Sequence, residues 1–372
     1  MSIHQSQFNN VLAIFNPEHD LCLANGDANY VPPASALRFA RQDAYLMKIL
    51  YGDDVTALPA EDVDWSQFAD GITPHTGHSS LVTGHSTITA WGWDVSLVRR
   101  LTKRGIPREL MPTDEQLAII KRLSHRRTSL SAAEACGFKP MGEEAFRLSD
   151  VQALLDRHGR VVLKAPWSGS GRGLRWVDNT LSAHDVDWLE KLLATQGSVI
   201  VEPRCEVVQD FALEYYISNQ QLAVSSQQLA ISSQQSGAST RFLGYSLFET
   251  QNGVYRENRL LADDEILRCL SAYIPIEELI SAKSAIETWL AEEVVPQYEG
   301  PLGIDMFVYK AAGGYALNPM VEINFRHTMG HVAVVLRGKT EEKTFRPEPK
   351  GWDCIDIYYG CCTDRGTPCC ER

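Results

Sequence analysis

The sequence contains no apolar run near the roughly 18 residues that a membrane-spanning helix needs. Its start, MSIHQSQFNNVLAIF, lacks both the basic stretch and the small-residue cleavage site of a secretory signal. These absences lead to the expectation of a soluble, cytoplasmic protein with no membrane partner. Clustered Lys and Arg are missing too: the formal net charge is -12, and no basic stripe offers a footprint for a nucleic-acid backbone. A nucleic-acid partner is therefore disfavoured. A nucleotide is a different matter, because one phosphate cradle requires only a few local donors inside an acidic protein.

Zinc-site spacing is also absent. Cys22, Cys136, Cys205 and Cys269 are scattered, while Cys354, Cys361, Cys362, Cys369 and Cys370 crowd the last segment without a C-x2-C pair. This is no secreted disulfide framework. Reduced thiols on a weakly ordered terminus are the simpler reading of the tail, with metal binding or redox chemistry as the other. What the chain does have is bulk: 372 residues, 44% hydrophobic and 22% charged, suffice for a substantial core and two or three substructures.

Residues 11 to 16, VLAIFN, read as a buried first strand running into a loop at Asn16-Pro17. A polar, turn-rich stretch follows, then a predicted amphipathic helix over Ala34 to Leu50 and strands over 54–59 and 86–91. Strands alternating with helices predict a parallel, Rossmann-like first domain. Further on, a helix is predicted from Thr113 to Leu123, another up to Ala135 with Gly137 ending it, and one over Ser149 to His158. Between Leu222 and Gln235 the chain repeats itself, LAVSSQQ then LAISSQQ. Two copies make no solenoid, and no chemistry attaches to them.

Three elements carry chemistry. The first is VVLKAPWSGSGRGLRWV, residues 161 to 177, where Lys164 ends a strand, Gly169, Gly171 and Gly173 punctuate a loop, and a second strand begins near Leu174. Such a tip can lay backbone N–H groups on a phosphate, with Lys164 adding a point charge, although it matches neither the P-loop nor the dinucleotide fingerprint and an ordinary turn reads the same way. The second is the strand 198–204, which ends in Glu202 and opens into a loop suited to an adenine edge; Asp210 then starts another strand, placed to accept from a ribose hydroxyl or merely to cap a turn.

The third is a hairpin, Gly303 to Tyr309 and Tyr315 to Asn324, around Gly313-Gly314. Antiparallel pairing sets Asp305 close to opposite Glu322, and Asn324, two residues on, points to the same face. Two facing carboxylates on an apolar sheet are costly unless a cation lies between them, and oxygen-only donors suit magnesium. The competing structural reading is a register shift at Pro319 that turns one carboxylate to solvent.

Taken in order, these elements resemble the ATP-grasp superfamily: a basic residue before a helix, a strand Lys with a Gly-rich loop, a strand ending in Glu, an acidic residue opening the next strand, then G-x-D and E-x-N. The match covers roughly residues 120 to 330, and order and spacing together make it specific. It implies an α/β and α+β protein of ATP-grasp fold with an N-terminal Rossmann-like domain at 1–122, a small lobe at 123–204, a larger lobe at 205–345 and a Cys-rich tail at 346–372. It further implies that Lys164 and the loop Ser168, Gly169, Ser170, Gly171 and Gly173 hold ATP phosphates, that Arg126, standing where such enzymes usually carry a Lys, reaches the nucleotide, that Glu202, Pro203, Arg204 and Cys205 contact adenine, and that Asp210 binds ribose. Asp305, Glu322 and Asn324 would hold Mg2+ or Mn2+, with Arg326 beside an acyl phosphate or developing oxyanion.

The implied activity is a ligase that activates a carboxylate with ATP and transfers it to an amine, or to a thiol, both small molecules; a homodimer is left open. An ATP-grasp kinase and a non-catalytic nucleotide-binding regulator are the alternatives. His19, Asp20, Asn29 and Tyr30 are candidate substrate contacts, or simply a solvated loop. His327 and His331 read as packed or solvated histidines rather than a metal pair. Gly303 stands where some peptide-forming members place an Arg, a gap that Arg241, Arg256 or Arg259 is a candidate to fill.

Overall fold

The computed structural model describes residues 11–69, 87–169, 173–218, 239–251 and 253–346. Ser170, Gly171, the 222–235 duplication and the cysteines from 354 onward lie outside them. The first unit is a parallel sheet of three strands, β1 (Val11–Ile14), β2 (Thr56–Leu58) and β3 (Thr87–Ala90), in the order β2-β1-β3. The run VLAI is buried throughout because both faces of the sheet are covered, the usual reason for an unbroken apolar strand. Leu12 and Ile14 pack with Leu97 and Leu101 on one side. Val11 and Ala13 pack with Leu46 and Met47 on the other.

The helix expected over 34–50 is in fact two, Ala34–Asp43 and Leu46–Tyr51. The turn at Ala44 and Tyr45 lets Ala40, Ala44, Leu46, Met47 and Ile49 all reach one core. No Pro or Gly announces that break. Beyond the carboxyl ends of β1 and β3, Asn16 clips the two loops together, its Nδ2 donating to Gly92 O at 2.7 Å.

The second unit is an antiparallel sheet of β4 (Glu143–Ala145), β5 (Arg160–Lys164), β6 (Leu174–Asp178) and β7 (Val199–Pro203), in the order β4-β7-β5-β6. It has its own core, in which Val161, Leu163 and Val201 meet Leu155, Leu189 and Leu192 of two covering helices. The helices Asp114–Leu123 and Arg127–Ala135 belong elsewhere: Ile120, Leu123, Ala132 and Ala133 pack with the large sheet, on both sides of the expected boundary at 123.

That large sheet comprises β8 (Val207–Ser218), β9 (Ser239–Gln251), β10 (Val254–Arg259), β11 (Gly300–Ala311), β12 (Gly314–Asn324) and β13 (Thr344–Phe345), ordered β12-β11-β8-β9-β10-β13. Asp305 pairs directly with Glu322, and Gly303 with Asn324. The ladder slips between Asp305 and Phe307, whose partners Glu322 and Asn318 flank Pro319. The strand proline thus bulges the hairpin, as strand prolines do, without parting the two carboxylates. The helix Met329–Leu336 follows and inserts Val332 and Leu336 into the core beneath β1.

A second slip falls between β8 and β9, where Glu214 faces Gly244 and Tyr215 faces Phe242. Gly244 has φ +149, a backbone conformation that side-chain-bearing residues rarely adopt, and a Cβ there would lie 2.3 Å from Nη2 of Arg337. Gly244→Ala is expected to cost about 1–3 kcal/mol. A thermal melt of the variant that superimposes on the wild-type curve would contradict this account of the bulge.

Candidate active site

The inner face of the large sheet and the small sheet enclose a cavity of about 840 Å³. Register fixes what the large sheet presents to it. Directly paired residues share a face, so Glu214, Gly303 and Asn324 form one row, and Ala212, Asp305 and Glu322 the next row of the same face. Asp210, two residues before Ala212, shares that face as well. One side of an otherwise apolar sheet thus gathers four carboxylates.

The consequence appears at Asp305. Burial, then the Glu322 and Glu214 carboxylates, push its carboxyl well above the usual carboxylate range. Asn324 offsets part of this by donating Nδ2 to Asp305 Oδ2 at 3.2 Å. Among the described residues no group of three or more His, Cys, Asp or Glu is arranged to hold a metal ion. Two carboxylates and an amide oxygen are nonetheless the donor set that suits magnesium, which normally completes its shell with water and phosphate oxygens. The anionic crowding around Asp305 fits a cation at this place.

The cations come from three directions. Lys164, at the end of β5, reaches Glu202 on the neighbouring β7, Nζ to Oε2 2.6 Å, with both side chains about 10% exposed. Arg126 precedes the helix Arg127–Ala135 and is 7% exposed. It donates to Ala165 O at 2.5 Å and Ser168 Oγ at 2.6 Å, so it ties down the base of the Gly-rich loop. Its other terminal nitrogen meets both oxygens of Glu322 at 2.8 Å. Arg326 forks onto Asp20 at 3.1 and 2.9 Å. Burial opposes the charge on Asp20, but Arg326, by charge and hydrogen bond, together with His19 and Arg126, outweighs it and holds the carboxyl below its ordinary range.

The loop packs against this pair, since a Cβ on Gly169 would lie 2.1 Å from Asp20 Oδ2 and one on Gly173 2.3 Å from Ser168 Oγ. Pro203, Arg204 and Cys205 line the cavity at the end of β7, although the guanidinium of Arg204 turns to Asp178 at 3.0 Å. Asp210 accepts from Thr250 Oγ1 at 2.8 Å, and burial raises its carboxyl above the ordinary range.

Of the loop candidates, His19 and Asp20 are brought to the site, and Asn29 and Tyr30 are not. Asn29 closes a turn on Asp27, and the Tyr30 carbonyl accepts from Ser96. Arg241, Arg256 and Arg259 are likewise not among the residues lining the cavity. The space beside Gly303 belongs instead to Thr328 and Glu214, 2.7 and 2.9 Å from where a Cβ would be. His327 and His331 are buried and engaged separately: His327 Nε2 lies 2.8 Å from Tyr51 Oη, and His331 Nε2 3.1 Å from Tyr215 O.

Sequence reasoning missed Glu214. It is 1% exposed, accepts from Ser246 and Thr328 hydroxyls at 2.9 Å each, and owes its space to Gly303 and Gly330, the latter of which would place a Cβ 1.8 Å from Oε1. A lone Glu inside the apolar strand FALEYYI was the available signal. Asp94 was missed as well, and its place beside His19 had no signal beyond a helix-capping position.

No family model matches the chain, and no curated protein matches it. Among solved structures it is similar to the N5-carboxyaminoimidazole synthetase from Staphylococcus aureus complexed with ADP, at 11% identity and TM-score 0.48 over 93% of this chain and 84% of that one. It is also similar to D-alanyl-alanine synthetase A from Vibrio cholerae, at 13% identity and TM-score 0.48 over 89% and 93%. A biotin carboxylase complex from Campylobacter jejuni matches at 12% identity and TM-score 0.48 over 90% and 69%. The chain's own architecture is a parallel unit, then a small antiparallel sheet, then a large one, with residues of all three lining one cleft, the arrangement that the sequence resemblance implies.

Proposed function

We propose that the protein is a Mg-ATP-dependent ligase that joins a small carboxylate to an amine through an acyl phosphate. The observation that carries this reading is the convergence of Asp305, Glu322 and Asn324 with Lys164, Arg126 and Arg326 around one cleft. Phosphoryl transfer asks a protein for positioning and charge neutralisation more than for covalent chemistry, and these residue types supply both.

Each cation here is already matched to a carboxylate: Arg126 to Glu322, Lys164 to Glu202, Arg326 to Asp20. Nucleotide binding exchanges these partners, so that Arg126 and Lys164 turn to phosphate oxygens. A bound Mg2+ would neutralise phosphate charge and hold the nucleotide in line with the substrate carboxylate. Glu322, Asp305 and Asn324 are the residues to hold it. Arg326 is a fixed donor for the charge that grows as the carboxylate attacks the terminal phosphate. Gly169 and Gly173, at the two ends of the Gly-rich loop, bring its base against Asp20 and Ser168 beside the place where the acyl phosphate would form.

The cavity extends past the carboxylates to Phe39, Trp91 and Thr328, which leaves room beyond the phosphates for an acyl donor and an acceptor. A kinase would use the same nucleotide site and is separated by its products, because a ligase releases inorganic phosphate with ADP and a kinase retains it on the acceptor. Screening amino acids and small carboxylates for stimulated ADP and phosphate release tests the proposal directly. No stimulation by any pair, with tight nucleotide binding intact, would favour the regulator reading instead.

Glu322→Gln is expected to lower the stimulated turnover at least about 100-fold while circular dichroism stays native, because it removes a charge at the reacting phosphates without changing volume. Near-wild-type turnover in that variant would refute the metal assignment. Asp305→Asn should instead trade activity for stability. The folded protein binds the Asp305 proton more tightly than the unfolded chain does, so the stability present at acid pH is lost as pH rises through the raised folded value. In chelator, the Asp305→Asn melting temperature should therefore exceed that of the wild type by a margin that widens from acid to alkaline pH; a constant or shrinking margin would refute the electrostatic account.

A further inference from the structure

Strands β1 and β3 lie side by side and parallel, and both open at their carboxyl ends toward the cleft. Ligands of open parallel sheets collect at that end. His19 starts the helix His19–Asn25 after β1, and Asp94 caps the helix Val95–Lys103 after β3. The ring Nδ1 of His19 lies 3.3 Å from Asp94 Oδ2, with both side chains 1% exposed. Asp94 is itself fixed, because its other oxygen accepts from the Leu97 N–H at 2.8 Å. The ring is fixed from above by the backbone of Gly92, where a Cβ would come within 2.6 Å of it. Asn16 holds that backbone in place from both sides, through Gly92 O and Gly92 N.

All of this restrains the imidazole and leaves one atom unused. Nε2 of His19 is buried and has no hydrogen-bond partner among the described residues. His19 lines a small cavity together with Asp20, Glu322, Asn324 and Arg326, the end of the cleft where the acyl phosphate would form. An unmatched buried nitrogen carries an uncompensated desolvation cost and persists where something other than folding uses it. With Nδ1–H donating to the Asp94 carboxylate, the tautomer assigned from these contacts, Nε2 keeps an unshared lone pair on a residue that lines that cavity.

We propose that His19 is the general base of amide formation, oriented and stabilised as an imidazolium by Asp94; the inference rests on the ligase reading. The lone pair of the acceptor amine forms the C–N bond at the acyl carbon, and the C–O bond to phosphate breaks with its electron pair leaving on phosphate. The surplus proton of the amine passes to Nε2. Arg326 stands at the same carbon, held by the residue next to His19 in the chain, so one short segment sets both the base and the donor for the oxyanion.

Hydroxylamine separates this step from the one before it, because it is a neutral nucleophile at neutral pH and captures acyl phosphates as hydroxamates without needing a base. With the full-length protein, Mg-ATP and the carboxylate and amine found by screening, His19→Gln should lose amide formation by about 100- to 10,000-fold, while the hydroxamate yield falls far less. The hydroxamate-to-amide ratio therefore rises at least about 100-fold, the lower end of what a general base contributes. His19→Asn, which keeps a donor near Asp94 but has no atom at Nε2, should give the same ratio and guards against misfolding of the first variant. Equal losses of both products, or no loss, would overturn the role of His19 alone. Wild-type protein that forms no carboxylate-dependent hydroxamate would overturn the ligase reading and this inference with it.

Discussion

The organisation of the cleft follows from one unfavourable contact, the pairing of Asp305 with Glu322 across a hairpin. Like charges held on a half-buried sheet repel and lose hydration, so the fold must surround them with compensating groups or leave the protein poorly stable. Arg126 answers on one side and Asn324 on the other. The burden is left partly unrelieved, which is why the Asp305 carboxyl holds its proton so tightly. Under the proposed function, stability is given up here for a charged ligand, a common opposition at binding sites.

Glu214 extends the same theme by a different route. It sits one row away from the pair, yet no arginine or lysine reaches it within ion-pair distance among the described residues, and His331 at 3.0 Å is its neighbour. The protein accommodates it through space and hydroxyls: glycines flank it on both adjacent strands, and Ser246 and Thr328 donate to it. A larger residue at Gly303 would press against the carboxylate, so the G-x-D pattern that includes Gly303 is in part a demand of Glu214.

Much of this was legible in the residues, and the reasons are local. The strand 160–164 and its partner from 174 announce themselves by β-branched and aromatic residues flanking a glycine loop, and the facing of Asp305 and Glu322 follows from counting outward from Gly313-Gly314. Pro319 threatened that count; the bulge it causes falls on the turn side of Glu322, so the pair survives. What sequence could not supply was contact between distant segments. Arg126 meets Glu322 across nearly two hundred residues, Asp20 meets Arg326 across three hundred, and His19 meets Asp94 only because β1 and β3 are neighbours. The helix break after Asp43 was equally illegible, since it serves the core and carries no breaker of its own.

The helix Met329–Leu336 has a mechanical consequence. Its first turn touches the floor of the cleft through Thr328 and Gly330, while Val332 and Leu336 are cemented beneath β1 with Phe345 of the last strand. The parallel unit and the large sheet therefore share apolar packing and form one platform. The small sheet keeps a core to itself and joins the platform near the cleft through polar clips such as Arg126 to Ser168. Polar clips hold less firmly than a continuous apolar interior, so the small sheet is joined to the platform more loosely than the platform's two parts are joined to each other.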